Sequence, residues 1–117
     1  MREDPTQFLP LSNAALHILL ALAAEDRHGY GILQEVARQS KFQYKLGPGT
    51  LYDNLHKLIG QGMIEERGRR AGDDDPRRRY YRLSTLGRTV LSAEVMRLET
   101  LIHDAHFDLR LARQRRV

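Results

Sequence analysis

The stretch GPGTLYDNLHKLIGQG, residues 47–62, decides how the rest of this chain is interpreted. Gly47 can cap a helix that begins at Pro48, because the N–H that proline lacks would have no acceptor at the first helical position. Gly60 and Gly62 are typical of a helix end. Between them, apolar side chains recur at helical spacing along one face, at Leu51, Leu55, Leu58 and Ile59. The sequence therefore predicts an amphipathic helix.

The other face of this predicted helix is polar. It combines short polar groups, an amide and a cation, which can hydrogen-bond base edges and phosphates in the major groove of DNA. A solvated face on an ordinary helix is the alternative, and this helix alone does not decide between the two. The candidate DNA-contacting residues of the predicted helix, residues 48–61, are Gly49, Thr50, Tyr52, Asp53, Asn54 and Lys57.

The length and composition of the chain limit its class. A chain of 117 residues is expected to form one domain with a modest core. The absence of cysteine excludes disulfides, thiolate catalysis and cysteine-ligated zinc. No apolar run approaches the roughly 20 residues that span a bilayer, and the acidic start MREDPTQFLP is unlike a signal peptide. We therefore expect a cytoplasmic protein with no membrane partner.

Positive charge is concentrated in two short stretches of a chain whose net charge is +4. One arginine cluster lies within residues 67–82 and the other near the C-terminus, within residues 110–116. Guanidinium groups pair bidentately with phosphate, so clustered arginine favours a polyanionic partner. A soluble surface can also be arginine-rich without a specific purpose, and composition alone leaves both interpretations open.

The segments before the amphipathic helix predict two further helices. Residues 14–24 are almost continuously apolar and form the first. A turn is predicted at residues 26–31, followed by a second helix that runs to about residue 40 and by an extended connector at residues 41–46. Helix, turn, helix, connector and helix is the order of a helix-turn-helix domain, whose last helix enters the groove.

Two strands and a basic loop are predicted directly after that helix. The strands are residues 63–67 and residues 77–83, and Tyr80 and Tyr81 are expected to face opposite sides, with Tyr80 on the side of the arginines. A hairpin of this kind beside a groove-reading helix is a wing, which can straddle the phosphate backbone or reach the minor groove. The basic wing, residues 67–79, adds the candidate DNA-contacting residues Arg69, Arg70, Arg77, Arg78 and Arg79.

The last predicted helix follows Ser84 and carries a seven-residue apolar repeat. Steps of four and three residues continue over roughly three heptads, which is an a/d seam. The simplest partner for such a seam is a second copy of the chain, and packing across the chain's own domain is the alternative. We therefore predict a homodimer, with a DNA-binding domain at residues 1–84 and a dimerisation helix at residues 85–117. The predicted interface residues are Leu91, Val95, Leu98, Ile102, Ala105 and Leu109.

Several motifs in this order resemble the PadR family of bacterial transcriptional regulators. They are HGYGI at residues 28–32, GTLY at residues 49–52, GMI at residues 62–64 and RYYRLS at residues 79–84. The match extends from about residue 11 to residue 91, and the single final helix resembles the shorter subgroup. The expected fold is mainly α with a small β-hairpin, a winged helix-turn-helix domain plus a long C-terminal dimerisation helix.

The resemblance also implies a function. Members of the family are repressors that dimerise through a C-terminal helix and bind palindromic promoter operators in double-stranded DNA, which would place Thr50, Tyr52 and Lys57 in the groove-reading helix and the wing arginines on the backbone. The chain departs from the family at Gly47, often serine, and at Asp53, often proline, so its preferred operator can differ. Some members bind flat aromatic ligands between tryptophans. This chain has no tryptophan, so a small-molecule effector, if one exists, is bound in another way.

Other classes of function have less support. No catalytic constellation and no phosphate-binding glycine loop can be recognised, so we predict neither an enzyme nor a cofactor. A protein-interaction module without specific DNA binding is the main alternative, and RNA binding lacks a stacking platform of the usual kind. No metal site is predicted, because the one candidate set is more simply explained as polar residues flanking the dimer seam. That set is Glu99, His103, His106 and Asp108.

Overall fold

The computed structural model describes residues 4–68 and 78–115, which form a helical domain with a small sheet. A short 3₁₀ turn, Pro5–Phe8, comes first. The helices are α1 (Asn13–Ala21), α2 (Gly29–Gln39), α3 (Pro48–Gly60) and α4 (Thr85–Arg115), and the strands are β1 (Arg27–His28), β2 (Ile64–Arg67) and β3 (Tyr80–Leu83). The prediction of a mainly α winged helix-turn-helix fold with a long C-terminal helix is confirmed.

The first three helices enclose one apolar core. α2 and α3 each bury one stripe of side chains at helical spacing and leave the other face to solvent, whereas every residue of α1 after Asn13 is at least partly buried. Because the apolar stripe of α3 is buried, this helix cannot rotate about its axis without exposing core side chains. The core residues of the three helices include Ile18, Leu19, Ile32, Val36, Leu51 and Leu55.

The helix predicted within residues 47–62 is confirmed as α3. Gly47 occupies the cap position in an extended conformation without a side-chain hydrogen bond, and Pro48 is the first helical residue. The helix ends at Gly60, and Gly62 follows with a φ of 81°. This left-handed conformation is one that glycine adopts without steric cost, so the sequence signal at the helix end has a direct physical cause.

The sheet contains one strand that the sequence pattern does not reveal. β2 pairs with β3 along its full length, which forms the predicted hairpin. The order is β1–β3–β2, however, because Arg27 and His28 pair antiparallel with β3. The prediction of a turn over residues 26–31 is therefore wrong at these two residues, and it is also wrong at residues 29–31, where α2 has already begun. A strand of two residues has no alternation of apolar and polar side chains, and its partner lies far away in the sequence.

Both tyrosines of β3 are buried, although the sequence predicts that they face opposite sides of the strand. Tyr81 belongs to the core. Tyr80 is covered from the other side by His28, whose ring lies 5.4 Å from the tyrosine ring between centroids, at an interplanar angle of 74°. The strand is also shorter than predicted and begins at Tyr80. Arg78 and Arg79 therefore lead into the strand.

The link between α2 and α3 differs from the extended connector predicted for residues 41–46. After α2 the chain turns through two left-handed residues, Lys41 with a φ of 52° and Phe42 with a φ of 63°. The Phe42 N–H donates to the Ala37 carbonyl at 2.7 Å, which closes the turn. Residues with a β-carbon rarely adopt this conformation, and each such residue costs on the order of 1 kcal/mol.

α4 begins in close contact with the domain. The Ser84 hydroxyl oxygen accepts a hydrogen bond from the Gly87 N–H at 2.9 Å and caps the helix. A Cβ atom on Gly87 would lie 2.0 Å from the backbone carbonyl oxygen of Met63, so glycine alone permits this approach. Val90 and Leu91, one turn further, are buried in the core.

The predicted dimer seam on α4 starts inside the chain's own core. Leu91 is only 6% exposed, and Val95 packs against the same core. The intramolecular alternative therefore describes the start of the seam, and Leu91 offers little surface to a second chain. Leu98 is half-buried, and from Glu99 to Arg115 every residue is exposed.

Residues 5–11, which we call the N-terminal arm, are held against α4 by Glu94. This carboxylate is only 1% exposed, accepts from the Leu11 N–H at 2.8 Å and pairs with Arg97. The hydrogen bond from Arg97, aided by that from Leu11, holds the pKa of Glu94 below its ordinary value of 4.5. A buried, ionised and fully paired carboxylate thus connects the start of the chain to its last helix.

Candidate nucleic-acid interface

The polar face of α3 is open to solvent. Asn54 is half-buried, and its side-chain amide donates to the Thr50 backbone carbonyl at 2.8 Å. That bond uses an amide N–H and leaves the Asn54 side-chain oxygen as the natural outward acceptor. A Cβ atom added at Gly49 would meet no other atom within 4 Å, so the helix start faces open space. The predicted contact residues that are exposed are Gly49, Thr50, Tyr52, Asp53 and Lys57.

Wing arginines supply positive charge near the start of β3. Arg78 and Arg79 are both exposed. The Arg79 guanidinium donates to the Glu66 carboxylate at 2.8 Å, so part of its charge is balanced within the hairpin. Arg82 pairs in the same way with Glu65 at 3.2 Å. Three predicted contacts lie outside the described residues, namely Arg69, Arg70 and Arg77.

A cavity of about 270 Å³ lies where the start of α2, the helix α3 and the wing meet. Tyr52 of α3 crosses Gly29 of α2 so closely that a Cβ atom on Gly29 would lie 2.4 Å from the Tyr52 hydroxyl oxygen. The HGYG and GTLY segments, which are separate in sequence, thus share one site. Its lining residues are His28, Gly29, Tyr30, Tyr52, Arg78, Arg79 and Tyr81.

His28 fixes the start of α2 beside this cavity. Its Nδ1 accepts from the Gly31 N–H at 3.0 Å, so it serves as the helix cap. Burial, reinforced by the charge of Glu66, raises the pKa of Tyr81, which therefore keeps its proton at neutral pH. The sequence prediction did not include His28, Gly29 or Tyr30 among site residues. The HGYG motif was the available signal, but its glycine reveals a close approach only once Tyr52 is placed.

Among the carboxylates of the described residues, Glu35 has the most strongly shifted pKa, and its bonds stabilise the fold rather than form part of the interface. Hydrogen bonding to Arg38, with Gln39 and the charge of Arg27 adding to it, lowers the pKa of Glu35 to about 2. Arg27 also donates to the Ala21 carbonyl at 2.7 Å. These bonds connect the end of α1 to β1 and α2, and so hold the two helices that support α3.

A second hollow, of about 300 Å³, separates the N-terminal arm from α3. The arm contributes Phe8 and Leu11 to it, and α3 contributes Asn54 and Lys57. Lys57 therefore lies on the border between this hollow and the open polar face. The arm flanks the edge of the candidate interface without covering it.

The geometry of the described residues adds no support for a metal site or for a membrane-spanning helix. Within residues 4–68 and 78–115, no three histidine or carboxylate side chains gather in a way that could hold a metal ion. The candidate set on α4 lies on an exposed stretch of helix, namely Glu99, His103, His106 and Asp108. Across the same described ranges, no helix combines enough length with enough apolar character to cross a bilayer.

A solvent-facing polar helix, held by a buried apolar stripe and flanked by an arginine-bearing hairpin, defines a winged-helix protein of the DNA-binding class. Residues 18–93 match the transcriptional regulator PadR-like family, and the chain belongs to that family. A transcriptional regulator of Mycobacterium tuberculosis is 36% identical over 89 residues, which cover 76% of this chain and 78% of the relative. The protein is thus a DNA-binding transcriptional regulator, in a family of regulators rather than enzymes.

Solved structures show the same fold. A PadR family transcription regulator from Clostridium difficile superposes with a TM-score of 0.72 at 20% identity, covering 84% of this chain and 99% of that one. Bacillus subtilis PadR, solved in complex with operator DNA, has a TM-score of 0.60 at 22% identity, over 69% of this chain and 46% of that one. At these identities the likeness concerns the fold.

Proposed function

We propose that this protein is a homodimeric, sequence-specific repressor that occupies promoter DNA. α3 enters the major groove and the wing lies on the neighbouring phosphates. The observation that carries the proposal is the fixed orientation of α3. Its buried stripe, Leu51, Leu55 and Leu58, turns the whole polar face outward on the side where a groove can receive it.

Within this arrangement, the side chains on α3 differ in the hydrogen bonds that they can make to DNA. Lys57 can donate to guanine or to a phosphate, Asp53 can accept from the amino group of cytosine, and Thr50 can donate or accept. Asn54 presents its side-chain oxygen and one amide N–H, because the other amide N–H donates to the Thr50 carbonyl. Arg78 and Arg79, together with Arg69, Arg70 and Arg77, supply the phosphate contacts.

The proposed dimer forms through the exposed part of the seam on α4. Leu98, Ile102, Ala105 and Leu109 continue the repeat after the helix has left its own core, and a second copy of α4 is the surface that fits the same repeat. We assign DNA binding to residues 1–84 together with the first turns of α4, and dimerisation to the rest of residues 85–117. A two-fold dimer requires a palindromic operator with half-sites roughly one helical turn apart, or a multiple of it.

The proposed function also implies the cellular compartment of the protein. A promoter-bound repressor acts in the cytoplasm, where bacterial DNA lies. Release from DNA would follow from an effector that changes the angle between the two winged domains. The chain would bind such a ligand without the tryptophans that some relatives use, because it has none.

The proposal is tested by fluorescence anisotropy with the promoter fragment upstream of the protein's own gene and with a scrambled duplex of equal length. Each titration is run at two salt concentrations, because phosphate contacts make affinity salt-dependent. We expect the promoter to bind about 10³-fold more tightly at physiological salt. Equal affinity for both duplexes would contradict sequence-specific binding to this promoter, and no binding to either would favour a protein-interaction module.

Lys57→Ala tests the groove-reading face directly. We expect the preference for the promoter over the scrambled duplex to fall by roughly 10-fold, since one good contact to a base edge is worth about 1–3 kcal/mol. Arg110→Ala is the matched control, because Arg110 is an exposed cation far along α4. Unchanged preference in Lys57→Ala would remove this residue from the base contacts.

A further inference from the structure

We propose that the cavity between α2, α3 and the wing seats one backbone phosphate of DNA, with the Tyr52 hydroxyl and the Arg78 guanidinium as its principal donors. Tyr52 thereby acts on the sugar–phosphate backbone and not on the bases, although it belongs to the groove-reading helix. The inference rests on the proposed DNA-binding function and adds to it a named contact that sets how deeply α3 enters the groove.

The placement of Tyr52 is the first observation. Its side chain does not extend along the exposed face of α3 but crosses to α2, where its hydroxyl lies 2.4 Å from the position of a Gly29 Cβ atom and its Cζ lies 3.1 Å from it. Any larger residue at position 29 would push the hydroxyl away. Glycine there keeps the hydroxyl in the cavity, in a ring that is still 52% exposed and open to a ligand.

The charge of the cavity is the second observation. Arg78 and Arg79 both line it, and none of the described lining residues is acidic. The pairing of Arg79 with Glu66 balances part of its charge, and Arg78 brings a second guanidinium to the same cavity. The start of α2 adds the partial positive charge of a helix N-terminus to a site that the arginines and the tyrosine already define.

The chemistry of these donors selects a phosphate. A planar guanidinium matches two phosphate oxygens, and a tyrosine hydroxyl with backbone N–H groups can complete the shell. Such donors carry no pattern that distinguishes one base pair from another, whereas they are typical of contacts that fix the register of a protein on the duplex. Because Tyr52 is part of α3, a phosphate held here fixes the distance of the recognition helix from the backbone.

The experiment compares Tyr52→Phe, Arg78→Gln and Gly29→Ala with the wild-type chain, on the promoter fragment and on the scrambled duplex across a range of salt. Tyr52→Phe should weaken binding to both duplexes by the same factor, about 10-fold, because a hydrogen bond to a charged group is lost. The slope of log K against log salt should not change, since the lost donor is neutral. Arg78→Gln should also weaken both, and should reduce the slope by about 1.

Gly29→Ala provides a test by a different route. The new methyl group meets the end of a flexible side chain, so we expect the fold to persist in a thermal melt while affinity falls as in Tyr52→Phe. In the double variant the two losses should not add, because both remove the same hydroxyl from the cavity. Tyr44→Phe and Arg110→Gln are the controls, since Tyr44 stacks on His17 and neither residue lines the cavity.

The outcomes separate this inference from the proposed function. The wild-type chain can prefer the promoter while Tyr52→Phe and Arg78→Gln bind as tightly as it does. In that case the proposed phosphate site is wrong, and the proposed function as a sequence-specific regulator is unaffected. If Tyr52→Phe loses affinity only for the promoter, Tyr52 contacts a base and the inference is overturned. If the variants weaken both duplexes equally while the wild-type shows no preference, the seat is supported and sequence-specific repression is not. Absence of any DNA binding by the wild-type overturns both.

Discussion

The two halves of α4 carry the same apolar repeat but lie in different surroundings. Up to Leu98 the helix rests on the domain, and Val90 and Leu91 are part of its core. Beyond that point every described residue of the helix is exposed, and Leu109 is 69% and Phe107 56% exposed. The comparison shows that a seven-residue apolar repeat predicts that a helix packs against a partner. Which partner each turn of the helix contacts depends on the arrangement of the whole fold.

The difference also separates two kinds of stability. A side chain in the packed half stabilises the single chain, and its effect is independent of protein concentration. A side chain in the exposed half can contribute only through another molecule, so its effect depends on concentration.

Gly87→Ala should have the largest effect. The added Cβ atom would lie 2.0 Å from the Met63 carbonyl oxygen, and this backbone atom cannot swing aside as a side chain could. We expect a loss of about 3 kcal/mol in the free energy of unfolding, measured by urea denaturation. Gly60→Ala is the control, because apart from the adjacent helix backbone no described atom lies within 4 Å of its β-carbon position, and it should be neutral or stabilising by up to about 1 kcal/mol. Equal stability of the two variants would mean that α4 does not rest on Met63.

Leu91→Ala tests the packed half directly. Removing a side chain that is only 6% exposed leaves a cavity in the core, at a cost of about 2–3 kcal/mol. The loss should be the same at low and high protein concentration. Leu109→Ala should instead change stability only where chains associate. A concentration-dependent loss in Leu91→Ala would return this residue to the predicted dimer interface.

Ile102→Asp tests the exposed half. Ile102 is 54% exposed in the single chain, so a charge there does not disturb the fold, but it lies in the middle of the proposed seam between chains. We expect the dimer to weaken by about 100-fold, because an unpaired carboxylate would be buried between two helices. Sedimentation velocity measures this, with His103→Asp as a control that adds the same charge beside the seam. A dimer of normal stability would contradict the proposed interface.

Glu94→Gln should lower stability by about 1–2 kcal/mol at neutral pH, because it weakens the bonds to Arg97 and Leu11. The pKa of Glu94 lies below its ordinary value of 4.5 in the folded chain, so its ionised form stabilises the fold above that pH. This contribution is lost as the pH falls through the folded pKa, and the wild-type chain should then lose its advantage over the variant. Calorimetry at several pH values checks this. Glu99→Gln, in the exposed half, should change stability by less than about 0.5 kcal/mol at every pH.

Much of the fold follows from local sequence signals. α3 was predictable because Gly47, Pro48 and the glycines after the helix each have a physical preference for the positions that they occupy. The strand β1 was not predictable, since Arg27 and His28 join the sheet only through pairing with a distant segment. The burial of Tyr80 was not predictable for the same reason, because the strand that covers it is distant in the sequence.

The candidate site was predicted in part. The exposed residues of α3 follow from the helical period, since a buried stripe determines the face that is left. The cavity at Gly29 does not, because it depends on the distance between two helices and on the direction of the Tyr52 side chain. Periodicity gives the face of a helix, whereas a site shared by several elements requires their arrangement in space.

The left-handed turn after α2 offers a way to raise the heat tolerance of the protein. Phe42 has a φ of 63° and is 72% exposed, so its ring contributes little packing to offset the backbone strain. Phe42→Asn should relieve part of that strain, because asparagine accepts the left-handed conformation more readily. A gain of up to about 1 kcal/mol would raise the melting temperature by several degrees in a domain of this size. This substitution would give a protein with a higher melting temperature without changing a residue of α3 or of the wing.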